Sequence, residues 1–249
     1  MERSIRLFLC TLLLGPALAL AQDEQPAVEE MPAEEPAAEA PSDEATPMEE
    51  AAPTEEAVAE EGPSAPSSGF LDVYYVPSSV LRFDLGGTRS DEDGKGFGAR
   101  GLYHFGGRYA VSGEYQSLTY DDPDIDVVET RLGVGLMTQN ESGATAGLFV
   151  EYDALKSDEV GDVDGFSVRG RLSGKAAEWL QFYGDVGYLL LKNDFEDLTG
   201  SEITLGAVCT FGQFGIFADV RRSQLEGADS GVRSALANAR AGLRLSFGG

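Results

Sequence analysis

The chain has 249 residues, 43 Asp or Glu against 18 Lys or Arg, and a formal net charge of −25. Such an excess of acid excludes a general nucleic-acid-binding surface, because phosphate backbones select basic faces. No stretch approaches the roughly twenty consecutive apolar residues that a membrane-spanning helix needs.

Residues 1–21 read as a secretory signal peptide. Arg3 and Arg6 form a short basic start, residues 7–14 are almost wholly apolar, and Ala19-Leu20-Ala21 is a small-residue cleavage site. Residues 22–68 carry fifteen Asp or Glu, no Lys or Arg, and repeated Pro, Ala and Ser. High charge with little apolar surface cannot offset ordering entropy, so this stretch is expected to be a disordered acidic tail in the periplasm. A tether is the simple role for it; docking to a basic periplasmic partner is the alternative. Residues 69–249 hold 27 acids against 16 bases, a net of −11, so less than half of the net charge belongs to this last domain.

From Phe70 onward the apolar residues recur with a period of two, which in a strand separates an apolar face from a polar one. The first segment sets Leu71, Val73, Tyr75, Leu81, Phe83 and Leu85 against Asp72, Arg82 and Asp84, interrupted at Pro77-Ser78-Ser79. Proline cannot donate to a ladder, so one strand with a bulge is expected there. The second opposes Phe97, Tyr103 and Phe105 to Arg100 and His104; the third opposes Val111 and Tyr115 to Glu114 and Gln116. The fourth and fifth set Val128, Leu132, Val134 and Leu136, then Leu148, Val150 and Tyr152, against Glu129, Arg131, Glu151 and Asp153. The sixth and seventh set Phe166, Val168, Leu172, Phe182, Val186 and Tyr188 against Arg169, Arg171, Tyr183 and Asp185. The last three set Ile203, Leu205, Ile216, Val220, Leu243 and Leu245 against Glu202, Asp219, Arg221, Arg240 and Arg244.

A soluble sandwich also alternates, but its polar face meets water and is rich in Lys. Here, from the second strand to the tenth, that face collects seven acids (Glu114, Glu129, Glu151, Asp153, Asp185, Glu202, Asp219) and seven arginines (Arg100, Arg131, Arg169, Arg171, Arg221, Arg240, Arg244). Matched numbers suit a narrow lumen, where each buried charge requires a partner and a guanidinium fork can serve two carboxylates. Lys95, Lys156, Lys175 and Lys192 fall at strand ends or in connections. The expected fold is therefore all-β: a closed antiparallel up-and-down transmembrane barrel of ten strands, or eight if the first segment lies outside the sheet.

Tight connections at Gly106-Gly107, Asn140 to Ser142, Gly174 to Glu178 and Gly212-Gln213 alternate with longer acidic ones near Gly87 to Asp93, Asp121 to Ile125, Lys156 to Asp162, Asn193 to Gly200 and Ser223 to Ser230. In outer-membrane barrels the short turns face the periplasm, which puts both termini there. Tyr103, Phe105, Tyr109, Trp179, Phe211, Phe214 and Phe247 cluster at the tight turns, as an interfacial girdle does.

The terminal strand resembles the assembly signal of bacterial outer-membrane proteins, with a polar residue, a glycine two later, then alternating apolar residues ending in an aromatic. Arg240, Gly242, Leu245 and Phe247 match it, and Gly248-Gly249 after the aromatic is a departure. In architecture, residues 69–249 resemble the OmpA-like and opacity-protein-like small barrels, without the peptidoglycan-binding domain of full OmpA proteins. The resemblance implies a Gram-negative outer membrane, contact with lipid and lipopolysaccharide, and insertion by the barrel-assembly machinery with periplasmic chaperones.

Little of the sequence suggests chemistry. Gly96-Phe97-Gly98-Ala99-Arg100-Gly101 spells a dinucleotide fingerprint, yet no helix pattern follows it, so admitting lipid or a bulky lumen residue is the better use of its glycines. His104, the single histidine, is expected in the lumen beside a tight turn, remote from the outer rim where an enzyme of this class would act. Asp121, Asp122, Asp124 and Asp126 are candidate ligands for a divalent cation, with solvated acids as the plainer alternative. The expected function is a structural or surface-interaction barrel with a largely plugged, charge-paired lumen. The alternatives are a narrow channel for small solutes or ions and, behind it, an outer-rim enzyme. No catalytic residue, cofactor or nucleic-acid partner is expected.

Overall fold

A computed structural model describes residues 67–85, 88–121, 124–140, 143–157 and 161–248. The expected signal peptide and almost all of the acidic tail lie outside the described residues. Those described form ten strands: β1 (Ser68–Leu85), β2 (Thr88–Phe105), β3 (Tyr109–Asp121), β4 (Asp124–Gln139), β5 (Thr145–Lys156), β6 (Val163–Ala177), β7 (Leu180–Lys192), β8 (Asp197–Phe211), β9 (Phe214–Gly227) and β10 (Arg233–Gly248). Each pairs antiparallel with its sequence neighbours, and β1 pairs with both β2 and β10, so the sheet closes on itself without an edge. The ten-stranded expectation holds and the eight-stranded one fails, because the first segment is a full member of the wall.

Two expectations are corrected. The bulge in β1 is present, as a register shift between Tyr75 and Ser78, but it also reverses the facing of the strand's second half. Ser79 is buried and Leu81 packs on the lumen cluster, so Leu81 does not share a face with Leu71 as unbroken alternation required. The acid-rich stretches near Gly87 to Asp93 and Asp121 to Ile125, expected as loops, are paired strand wherever they are described. Pairing runs up to Leu85↔Thr88 and Asp121↔Asp124, and Lys95 lies within β2, not in a connection. Cross-strand contacts replace apolar burial in holding these extensions: Arg82 Nε donates to Asp91 at 2.6 Å and Thr119 donates to Asp126 at 2.6 Å.

Glycines seat the large side chains that point inward. A Cβ on Gly98 of β2 would meet the Tyr74 ring at 2.5 Å and the Tyr115 carbonyl oxygen at 2.6 Å. The same relation holds between Gly94 and Tyr120, and between Gly206 and Tyr183. Of the glycines that spell a nucleotide motif, Gly98 is thus a receptor for a bulky lumen side chain, one of the two uses expected of them. Gly98→Val is expected to lower stability by about 1–3 kcal/mol through overpacking, read as a reduced urea midpoint of the refolded barrel in detergent.

Candidate functional site: the lumen

The alternation decides which groups meet in the interior. All fourteen charged residues expected in the lumen network face inward, and the described residues pair every one of them. Two clusters result.

In the first, Arg244 grips Asp72 through two bonds of 2.7 and 2.8 Å. Arg100 bridges Asp72 and Asp219 at 2.9 Å each. Arg240 joins Asp219 at 2.5 Å to Glu114 at 2.6 Å, and Tyr74 donates its hydroxyl to Glu114 at 2.6 Å. Three carboxylates face three guanidinium groups.

The second cluster is centred on Glu202. Its carboxylate receives Arg131 through bonds of 2.8 and 2.7 Å, Arg169 at 2.5 Å, and lies 2.7 Å from Arg221. Arg131 also lies 2.5 Å from Glu129 and 2.8 Å from Asp153, the latter without hydrogen-bonding alignment. Arg169 and Arg171 share Glu151 at 2.8 Å each, and Arg171 is 3.4 Å from Asp185. Five acids here meet four arginines.

Several of these links cross the barrel. Arg221 on β9 and Glu129 on β4 stand on strands five apart in a ring of ten, and Arg221 donates twice to that carboxylate, at 2.8 and 2.5 Å. Arg100 on β2 reaches Tyr183 on β7, again five strands away, at 2.8 Å. Toward the loops the lumen turns apolar: Val76, Leu118, Tyr120 and Ile125 form a buried cluster with Leu81, Val127 and Leu236 against it. Ser79 ties this layer together through Tyr120 at 2.9 Å and Asn238 at 2.7 Å.

On the other side of the charges a cavity of about 400 Å³ remains. Its lining reaches the short-turn rim at Ser68, Gly143, Lys175 and Gly248, and its floor at Arg131, Glu202 and Arg221.

The outer face has the opposite chemistry. Leu132, Val134, Leu136, Leu148, Val150 and Val186 are each more than half exposed, whereas Arg131, Glu151, Arg169 and Glu202 are at most 5% exposed. Water would reverse this distribution; hydrocarbon around the wall explains it. This is a transmembrane β-barrel.

Rings collect at one end of the barrel, as the girdle expectation requires. Tyr109, Phe105, Tyr103 and Phe247 form a chain with centroid spacings of 6.0 to 6.2 Å. Phe247 reaches Tyr103 across β1 because Gly69 stands between them; a Cβ there would meet the Phe247 ring at 2.7 Å. Of the assembly-signal residues, Arg240 lies in the network, Gly242 lets Tyr74 approach its strand, and Leu245 and Phe247 face outward.

Other candidate residues are dispersed. His104 is buried facing the lumen near the short turns, and its Nε2 has no hydrogen-bond partner among the described residues. Asp121 is exposed 3.8 Å from Lys95, and Asp126 accepts from Thr119. Asp122 and the side chain of Asp124 lie outside the described residues, and no metal-holding cluster occurs among those described.

Sequence reasoning missed Asp72, which binds two arginines. It stood on the polar side of the first segment, but Pro77 left that segment's place in the sheet open. Tyr74 was missed too, and Tyr183 was placed on the polar face without a role; the glycines that seat them, Gly98 and Gly206, become neighbours only through the strand register.

No family model matches the chain, and no curated protein matches it in sequence. Among solved structures it is similar to the outer membrane protease OmpT from Escherichia coli, at 10% identity over 72% of this chain and 97% of that one, with a TM-score of 0.46. It is similar also to Neisserial surface protein A (13%, 72% and 97%, TM-score 0.36). An outer membrane channel from Pseudomonas putida F1 gives 11% identity over 78% of this chain and 100% of that one, with a TM-score of 0.40.

Proposed function

We propose that the protein is a structural or surface-interaction barrel of a Gram-negative outer membrane, with a lumen closed to solutes. The observation that carries this reading is the Glu129–Arg221 brace across opposite walls, at a level where Glu202 gathers three arginines. Opening a path there would separate ion pairs buried in a low-dielectric interior, which is strongly unfavourable. The apolar layer beyond it is a second obstruction.

In this reading the short-turn end and both termini are periplasmic, and the paired extensions of β1–β2 and β3–β4 face outward. Lipid and lipopolysaccharide surround the wall, divalent cations associate with the acids of the outer rim, and the barrel-assembly machinery and its chaperones read Arg240, Gly242, Leu245 and Phe247. The reading includes no catalysis, since His104 sits at the short-turn end.

Purified protein in planar bilayers is expected to be electrically silent. Steady unitary conductance would favour the narrow-channel alternative and overturn the closed lumen.

A further inference from the structure

The cavity wall differs in charge from the network behind it. Eight of its lining residues are Lys or Arg and only four are acids, although acids outnumber arginines in the network as a whole. Asp72, Glu129, Asp153 and Asp219 lie behind the guanidinium groups and do not reach the cavity. The surface that a solute would meet is therefore cationic.

One strand concentrates this character. The inward residues of β6 from the network to the rim are Arg169, Arg171, Ser173 and Lys175, each of them a donor, and all four line the cavity. Lys175 forms no ion pair among the described residues. Arg171 is the most accessible guanidinium of the second cluster, its side chain 23% exposed against 2–6% for Arg131, Arg169 and Arg221. Phe70, Leu102 and Met137 add an apolar wall near the mouth.

We propose that this cavity is a binding site for a small oxyanion, a carboxylate or phosphate group carried on a short apolar body. Lys175 receives the anion at the rim and Arg171 holds it within, while the closed floor prevents its passage. The volume falls within the roughly 300–1,000 Å³ usual for small-ligand sites. Binding goes beyond the closed-barrel reading and does not depend on electrical silence; only the block to passage rests on that reading.

The test is calorimetric titration of the full chain, refolded in an uncharged detergent, with inorganic phosphate and separately with butyrate at matched ionic strength. Saturable one-to-one binding of at least one probe is expected, weakened about tenfold or more by Lys175→Glu and also weakened by Arg171→Gln. Saturation by phosphate alone or by butyrate alone identifies the group recognised. Lys175 is exposed, so its variant should keep the parent's unboiled gel mobility. Binding of neither probe, or unchanged binding in Lys175→Glu, overturns the proposal.

Discussion

Arg131→Ala is expected to destabilise the barrel by about 3–5 kcal/mol, the usual cost of removing one partner from a buried ion pair. Arg131 touches Glu129, Asp153 and Glu202, each within 2.8 Å, and its side chain is 6% exposed. Its cluster already holds five acids against four arginines, so the truncation leaves two carboxylates in excess, and the three that Arg131 touches are at most 2% exposed. Arg233→Ala is the control. That residue pairs with Glu226 at 3.1 Å, but both side chains are more than half exposed, and such pairs contribute at most about 1 kcal/mol. Urea unfolding in lipid vesicles, followed by the fluorescence of Trp179, compares the two. Equal small losses would mean a hydrated lumen whose charges are screened.

Val134→Arg tests the other face, with an expected loss of about 2–4 kcal/mol. Val134 lies within β4, opposite Val111 on β3 and Val150 on β5, and is 64% exposed. On the surface of a soluble protein such a change would usually fall within about 0.5 kcal/mol. In hydrocarbon the guanidinium finds neither water nor an acid among those valines, and the folded state bears the desolvation. The same unfolding assay measures it, and a near-neutral result would place this face in water.

Much of this arrangement was legible because a strand's period is two and the polar positions carried full charges. Parity alone assigned Arg131, Glu151 and Val134 to their faces. Parity says nothing about shear, so it could not reveal that Glu129 meets Arg221, ninety-two residues later, across the lumen. Nor could it anticipate the glycine–tyrosine seats, since Gly98 and Tyr74 become neighbours only once the register of β1 against β2 is fixed. Asp72 was obscured by Pro77, whose bulge reorients the strand without removing it from the wall. The acidic hairpin tips misled for a different reason: composition signals exposure, and an exposed strand pair held by Arg82–Asp91 has the composition of a loop.

Lipid covers one face of this sheet while the other is sealed from it, and photo-crosslinking reads that difference directly. Benzoylphenylalanine is placed singly at Val134, Val150, Val186 and Gln181, in protein refolded into bilayers. The three valine positions should yield lipid acyl adducts, and Gln181, which lines the cavity, should yield none. Adducts at Gln181 equal to those at Val134, or no lipid adducts at any valine position, would contradict it.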